Sequence, residues 1–152
     1  MDKEKFTKEV LAAETTMYHV AKSILVYDAD CEDAVQEAVL KAFSKLNTLR
    51  EERYFKTWLI RILINECYRY KRGSKRLVPF DDAINEAAEE KDYSDLYRAV
   101  LKLKEPIRIV ITLHYIEGYS VEEIGKILKI PSGTVKSRLH NGRKLLKLEL
   151  SD

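Results

Sequence analysis

The sequence has few cysteines and histidines and no long apolar run, which argues against a disulfide-rich, metal-binding or membrane-spanning protein. Its 152 residues include two cysteines, Cys31 and Cys67, which cannot form a disulfide framework and are predicted to be small hydrophobic core residues. The three histidines are far apart, and none has a cysteine or carboxylate partner at a spacing typical of metal ligands. Apolar runs fall far short of the roughly 20 residues that span a membrane, and residues 1–20 lack the apolar core of a signal peptide. We therefore expect a cytoplasmic protein that does not insert into membranes.

The sequence also shows no motif typical of a catalytic centre. The N-terminal half has neither a glycine-rich phosphate loop nor a cluster of catalytic residues. Four acids lie close together at Asp28, Asp30, Glu32 and Asp33, but the glycine and the final bidentate acid of a calcium loop are absent. An acid-rich helix start explains them better, and a metal-dependent enzyme that processes nucleic acids is kept only as an alternative. We expect no catalytic residue, no cofactor, no metal and no small-molecule substrate.

What the sequence does have is charge arranged in blocks. The net charge is only +2, but residues 50–76 hold 9 bases and 3 acids, and residues 99–152 hold 10 bases and 6 acids. Residues 77–98 hold 2 bases and 7 acids. Because fields are screened within about 8 Å at physiological salt, each basic region can meet a phosphate backbone despite the near-neutral total. The acidic stretch 77–95 is predicted to be a flexible linker, with a short helix at Ala83–Ala88 as the alternative.

Two helices are predicted before the first basic region. Apolar residues recur every three or four positions from Phe6 to Ile24, which predicts one long amphipathic helix. A second helix follows with Asp30 as its N-cap, and its apolar stripe runs from Ala34 to Leu46. The opposite face of the second helix carries polar residues, among them Asp33, Gln36, Glu37 and Lys41. Taken alone, that face is an ordinary solvated surface.

A third helix, from about Tyr54 to Arg72, is predicted to be largely buried. Its polar side chains recur every three or four positions and form one ridge: Arg61, Asn65, Tyr68 or Arg69, and Arg72. The ridge runs on into Lys75 and Arg76. Arginines can clamp phosphates, an amide can meet a base edge, and tyrosines can stack bases. On this segment alone, a nucleic-acid surface and a solvated side of a core helix explain the pattern equally well.

No segment is predicted to be a strand. The stretch from Ile107 to Ile116 is rich in β-branched residues, but Pro106 at the first turn and the helical neighbours favour a helix. The predicted fold class is therefore all-α.

The clearest motif is a helix-turn-helix between Tyr119 and Leu146. Ser120 and Glu123 predict a capping box at the start of a short helix, in which Gly125 allows a neighbouring helix to approach closely. After a turn at Ile130–Gly133, a second helix is predicted to open at Thr134 and contains no acid before Lys147. Its inward residues are Val135, Leu139 and Leu146, and its outward residues include Lys136, Ser137, Arg138, His140 and Arg143.

This second helix has the composition of a DNA recognition helix. Arg138 or Lys136 can donate to guanine edges in the major groove, and Ser137 can serve bases or phosphates. A helix-turn-helix alone does not define a function. A free-standing regulator, with the N-terminal half as a dimerisation or effector module, is therefore a second hypothesis.

Together these segments resemble the extracytoplasmic-function (ECF) sigma factors, the group IV members of the sigma-70 family. The resemblance rests on Asp33 to Glu37, on Tyr54 to Asn65 with the basic tail to Arg76, and on Glu117–Gly125 with Gly133–Leu139. It implies an all-helical transcription initiation factor made of two small domains. A region-2 domain at 1–76 and a region-4 domain at 96–152 would be joined by the flexible linker 77–95.

The resemblance also implies what each surface binds. The β′ clamp helices of core RNA polymerase would contact Asp33, Gln36 and Glu37. Minus-10 promoter DNA would contact Arg61, Asn65, Arg69, Arg72, Lys75 and Arg76. The minus-35 element would contact Thr134, Lys136, Ser137, Arg138, His140 and Arg143. Region 4 would also touch the β flap, and an anti-sigma factor, often membrane-bound in this family, would cover the polymerase-binding faces.

The sequence departs from the family pattern at two places. Asn141 and Gly142 stand where the family often has a base and an alanine. The lost charge, and a helical glycine that costs about 1 kcal/mol relative to alanine, predict weaker or altered minus-35 binding. Val39 stands where an aromatic residue is frequent.

Overall fold

The chain divides into two compact units, Met1–Ser74 and Lys75–Asp152. The computed structural model describes residues 1–73 and 94–151. All regular elements in these residues are helical, which confirms the all-α prediction. The predicted linker lies outside the described residues except for Ser94 and Asp95, which begin the first helix of the second unit. Lys75 and Arg76 also lie outside them.

The described part of the first unit is a bundle built on a buried apolar centre. Its helices are α1 (Lys3–Ala12), α2 (Glu14–Leu25), α3 (Asp28–Ser44) and α4 (Phe55–Gly73), with 3-10 turns at Leu46–Thr48 and Glu52–Tyr54. Helices α2, α3 and α4 pack on one another, and α4 lies at the centre. Both cysteines, Cys31 on α3 and Cys67 on α4, are buried and unbridged, which confirms the prediction that they are core residues. Burial raises the pKa of the Cys67 thiol, which keeps it protonated.

The prediction of a single first helix is wrong. The chain leaves the helical conformation at Ala13, which has φ −95° and ψ 1° and is buried. The break separates α1 from α2, and Phe6 on α1 packs edge-on against Phe43 at 5.3 Å and Phe55 at 5.6 Å between ring centroids. Hydrophobic periodicity did not reveal the break because the apolar repeat continues through it on both sides.

The connection between α2 and α3 consists of two residues, Val26 and Tyr27. Val26 has φ 70° and ψ −53°, and the Tyr27 N–H donates to the Leu25 carbonyl at 2.8 Å, which makes a γ-turn. A β-branched residue rarely adopts a positive φ, and such strain costs about 1–3 kcal/mol. Val26 is also only 1% exposed. Burial of its side chain therefore holds a turn that the backbone alone disfavours.

The predicted N-cap of α3 is wrong. The helix begins at Asp28, and its N-cap position, Tyr27, makes no side-chain capping bond. Asp30 lies within the first turn and is buried. Acids in a first turn interact favourably with the positive end of the helix dipole, so the same composition suits a start three residues earlier.

The second unit is also helical in its described part. It contains α5 (Asp95–Leu101), α6 (Glu105–Ile111), a π turn (Thr112–Ile116), α7 (Val121–Leu128) and α8 (Ser132–Leu150). The prediction of a helix rather than a strand at 107–116 is thus confirmed, although its last turn is a π turn. The fully buried Arg108 links α6 to the preceding connection, since its Nη1 donates to the Leu103 carbonyl at 2.9 Å.

The helix-turn-helix is present, with one shifted boundary. The capping box is confirmed: the Ser120 hydroxyl accepts from the Glu123 N–H at 3.1 Å, and the Glu123 carboxylate accepts from the Ser120 N–H at 3.0 Å. The backbone does pass close to Gly125, but the nearest part is the turn rather than a neighbouring helix: an added Cβ would lie 3.0 Å from the Ile130 carbonyl oxygen and 3.7 Å from the nitrogen of Ser132, where α8 begins. The recognition helix starts at Ser132 rather than Thr134, since Pro131 already occupies the N-cap position. Proline fixes a φ that suits a helix entry.

Candidate nucleic-acid interface

The outer face of α3 presents the three polar residues expected there. Asp33, Gln36 and Glu37 are all exposed, and the next position on the same face is Leu40, which is 64% exposed. Leu40 was not among the predicted site residues. Its spacing of three and four from Glu37 and Gln36 was the available signal. An apolar side chain beside an amide and a carboxylate gives this face both a hydrophobic contact and hydrogen-bonding groups for a protein partner.

Two polar links fix α3 against α4. The Tyr70 hydroxyl donates to Asp30 Oδ1 at 3.1 Å and approaches Asp33 Oδ2 at 3.4 Å. Burial, and then the hydrogen bond to Asp30, raise the pKa of Tyr70. Deeper along the same seam, Lys41 forms an ion pair with Glu66. The α3 face and the exposed side of α4 are therefore held in one geometry.

Asp30 and Asp33 both face the Tyr70 hydroxyl, but the four acids at the start of α3 do not gather into one cluster. Asp28 pairs with Lys22 Nζ at 2.8 Å, whereas Asp30 accepts from Tyr70. No group of three or more potential metal-ligating side chains occurs within residues 1–73 and 94–151. These contacts give Asp28, Asp30 and Asp33 structural roles within the first unit.

The exposed side of α4 is a basic ridge. Four predicted residues are exposed along it: Arg61, Asn65, Arg69 and Arg72. The single acid of this helix, Glu66, is buried behind the ridge and faces Lys41, with Arg69 Nη1 3.9 Å away. Because that carboxylate points away from the surface, the ridge has a positive field suited to a phosphate backbone.

Aromatic side chains border this ridge. Trp58 and Tyr68 are half-buried, and Tyr54 at the N-terminal end of α4 is 55% exposed. The Arg53 guanidinium lies 4.7 Å from the Tyr54 ring centroid, a cation–π contact that the sequence pattern did not predict. Exposed rings next to arginines are the arrangement on which unpaired bases stack.

The outer face of α8 presents the predicted recognition residues. Lys136, Ser137, His140 and Arg143 are exposed, and Thr134 and Arg138 are half-buried. Val135 and Leu139 are buried as predicted, but Leu146 is only half-buried because this end of α8 has little of the unit behind it. Gly142 also lies on the buried side of α8, so the glycine itself is not part of the recognition face. The effect of the Asn141–Gly142 departure on DNA binding stays a prediction.

One further contact belongs to this face. The Tyr115 hydroxyl, on the π turn, accepts a hydrogen bond from Arg143 Nη1 at 3.0 Å. Tyr115 was not a predicted site residue. The two residues are 28 positions apart in sequence, so only the folded unit brings them together.

Neither described part of the chain contains a helix with the length and hydropathy needed to cross a membrane.

Comparisons with known proteins match both units. The family profile described as Sigma-70 region 2 matches residues 11–77, and the profile described as Sigma-70, region 4 matches residues 93–146. The ECF RNA polymerase sigma factor SigW of Bacillus subtilis (strain 168) is 30% identical over 171 residues, covering 99% of this chain and 91% of that protein.

Two solved structures are also similar. The sigma factor RpoE of Bartonella quintana, in complex with the anti-sigma factor NepR, gives a TM-score of 0.77 at 24% identity, covering 97% of this chain and 98% of that one. This likeness shows the fold. CnrH in complex with the cytosolic domain of CnrY gives a TM-score of 0.74 at 25% identity, covering 99% of this chain and 90% of that one.

Proposed function

Because this chain belongs to the ECF sigma factors, which direct RNA polymerase to promoters, we propose that its three exposed surfaces divide that task among them. The α3 face binds core polymerase, the α4 ridge captures unpaired minus-10 bases, and the outer face of α8 docks on minus-35 duplex. The protein works in the cytoplasm with the polymerase. The observation that carries the proposal is the presence of two separate basic surfaces, on α4 and α8, beside a face on α3 suited to a protein.

The polymerase contact is proposed for Asp33, Gln36 and Glu37, with Leu40 added from the structure. Asp33 and Glu37 supply negative charge, Gln36 supplies an amide, and Leu40 supplies apolar area. The clamp helices of the β′ subunit are the partner that the resemblance implies. The β flap contact of region 4 is proposed without assigned residues.

Promoter opening needs no bond chemistry from the α4 ridge. Separating DNA costs about 1.4 kcal/mol per base-pair step in lost stacking. Stacking one freed base on an aromatic side chain recovers about 1–3 kcal/mol. Capture of one or two bases beside Arg61, Asn65, Arg69 and Arg72 is therefore enough to shift the balance towards open DNA. Lys75 and Arg76 are proposed to extend the phosphate contacts.

Minus-35 recognition is proposed for six residues of α8: Thr134, Lys136, Ser137, Arg138, His140 and Arg143. The major groove admits an α-helix, and the short polar and basic side chains in the N-terminal part of α8 would meet base edges there. The half-buried Thr134 and Arg138 lie at the border of the face, where a side chain can reach the groove wall.

Membership of group IV is proposed from the spacing of the two matched ranges. Only residues 78–92 separate the region-2 match from the region-4 match. Fifteen residues are too few for a further packed helical domain of the kind that region 3 forms in larger sigma factors.

We also propose regulation by an anti-sigma factor. Two small units expose a larger share of their surface than one domain of the same total length, which leaves the polymerase-binding faces open to a competitor. The sigma factor in one of the similar solved structures is bound to an anti-sigma factor. A pull-down from the native host is expected to recover an inhibitor that dissociates core polymerase from this chain.

The decisive experiment is co-elution of the full chain with bacterial core RNA polymerase on a sizing column. We expect a stable complex that Gln36→Ala and Glu37→Ala weaken. Glu4→Ala is the matched control, because it removes an exposed carboxylate from α1 and leaves α3 unchanged. Absence of a complex, together with a dimer that shifts duplex DNA without polymerase, would instead establish a free-standing regulator.

A second experiment tests the DNA surfaces. The reconstituted holoenzyme is used to select promoters from a random-sequence DNA pool, and binding to a selected fork with an unpaired minus-10 strand is then measured. Asn65→Ala and Arg61→Ala are expected to weaken binding to the fork much more than binding to the isolated minus-35 duplex. Equal losses on both probes would contradict the assignment of the ridge to minus-10 DNA.

A further inference from the structure

The structure assigns a role in promoter binding to Tyr115, a residue of the π turn that lies outside the recognition helix. We propose that Tyr115 is a positioning residue, whose hydroxyl holds the Arg143 guanidinium toward a DNA phosphate at the edge of the minus-35 groove. This inference rests on the proposed function of α8.

The first step is the contact itself. Arg143 Nη1 donates to the Tyr115 hydroxyl at 3.0 Å, and both side chains lie at the surface, with Tyr115 53% exposed. A guanidinium has five N–H donors in a rigid fork. One of them is used by the phenol, so the others remain available to a phosphate. An arginine fixed in this way loses less side-chain entropy on binding than a freely rotating one.

The second step is where Arg143 lies on α8. It follows Lys136 by seven residues, which is two helical turns, so both lie on the same face about 10 Å apart along the axis. The major groove is about 12 Å wide. When Lys136 is at the base edges, Arg143 therefore reaches the sugar-phosphate backbone that borders the groove.

The third step is how the fold presents Tyr115. The Glu117 N–H donates to the Thr112 carbonyl at 3.0 Å, the bond of a π turn, in which one extra residue is accommodated per turn. Thr112 and Leu113 remain buried while Tyr115 turns outward. π turns are frequent at functional sites, and here the extra residue brings a phenol to the side of α8.

The fourth step is what keeps the ring in place. The Tyr115 ring meets the His114 ring edge-on, with centroids 4.8 Å apart and planes at 81°. His114 Nδ1 is in turn hydrogen-bonded to the Tyr119 carbonyl at 2.8 Å. The Tyr115 ring therefore has a contact within the turn itself, in addition to its hydrogen bond with Arg143.

The experiment uses the full chain bound to core polymerase and a minus-35 duplex selected by that holoenzyme from random-sequence DNA. Tyr115→Phe removes only the hydroxyl and keeps the ring contact with His114. It is expected to weaken binding about three- to tenfold. Arg143→Ala is expected to weaken binding further and to reduce the slope of log affinity against log salt by about 0.9.

A double substitution separates positioning from a general structural role. In the Arg143→Ala background, Tyr115→Phe is expected to cause no further loss, because the group that it positions is gone. In the Lys144→Ala background, which removes a neighbouring exposed cation, Tyr115→Phe is expected to keep its full effect. Far-UV circular dichroism of each variant checks that the unit is folded.

Two results would overturn the inference. Binding by Tyr115→Phe that equals that of the unsubstituted chain would show that Arg143 needs no positioning. An equal loss with and without Arg143 would show that Tyr115 acts on the fold or on DNA directly. In both cases the holoenzyme still selects a sequence, so the proposed function stands. A holoenzyme that selects no sequence would instead contradict the proposed function and the inference together.

Discussion

Gly142 on α8 lies so close to Ile111 on α6 that a Cβ added to the glycine would be 2.6 Å from Ile111 Cδ1. The same Cβ would lie 3.0 Å from Ile107 Cγ2. Atoms in a folded core do not approach this closely, so any side chain at position 142 would force the buried Ile111 to move. The low helix propensity of Gly142 is thereby offset by the close packing of α8 on α6 that the missing side chain allows.

The first prediction concerns this contact. Gly142→Ala is expected to lower the free energy of unfolding by about 1–3 kcal/mol, because the added methyl overpacks the interface. Gly133→Ala is the matched control in the same helix, since a Cβ there would meet nothing within 4 Å. The control is expected to be neutral or to gain up to about 1 kcal/mol. Chemical denaturation of the full chain measures both, and an unchanged or raised stability of Gly142→Ala would contradict the prediction.

The second prediction concerns the pH dependence of stability. The Ser120 N–H, and then its hydroxyl, lower the pKa of Glu123 in the folded chain. A carboxyl with a lowered pKa binds fewer protons when folded, so its stabilisation is present above its unfolded pKa of about 4.3 and is lost as the pH falls through the folded value. Glu123→Gln is therefore expected to reduce the loss of stability between about pH 6 and pH 3. Glu122→Gln, in the same turn, is the control and is expected to change this slope less.

The third prediction concerns the α3–α4 seam. Tyr70→Phe removes the donor that faces Asp30 and Asp33 and is expected to destabilise the chain by about 1 kcal/mol. Tyr54→Phe removes the hydroxyl of an exposed tyrosine in the same unit and is expected to have little effect. Equal denaturation midpoints for the two variants would show that the hydroxyl of Tyr70 contributes nothing measurable.

The fourth prediction concerns the ion pair beneath the basic ridge. Lys41→Met leaves the Glu66 carboxylate, 10% exposed, without its main cation and is expected to cost about 1 kcal/mol after allowance for solvent screening. Arg69, 3.9 Å from the same carboxylate, is then expected to turn toward it and contribute less to minus-10 binding. Fork-DNA affinity of the holoenzyme measures this effect.

The double variant Lys41→Met with Glu66→Gln is the control for the fourth prediction. Removal of both charges is expected to recover most of the stability and the DNA affinity. A double variant that is no better than Lys41→Met would show that the ion pair is not the cause of either loss.

Local patterns were enough to predict features set by neighbours in sequence. The exposed ridge of Arg61, Asn65, Arg69 and Arg72 follows from helical periodicity alone, and the capping box of Ser120 and Glu123 follows from a spacing of three. Both features depend on residues within a few positions of one another, so their spacing in the sequence is enough to predict them.

The features that could not be predicted depend on residues far apart in the chain. The break at Ala13 accompanies the packing of Phe6 on Phe43 and Phe55, which lie 37 and 49 positions further along the chain. The close packing at Gly142 involves Ile111, which is 31 positions earlier in the chain. Periodicity records which face is apolar, but it contains no information on how near the neighbouring element comes.

The γ-turn at Val26 has a mechanical consequence for the first unit. The connection between α2 and α3 has only two residues, and one of them is buried in a strained conformation, so the connection has little conformational freedom. Because α2 and α3 also pack on each other, a displacement of one helix is expected to move the other. A partner bound to the outer face of α3 is therefore expected to perturb α2 as well, including its packing against α4.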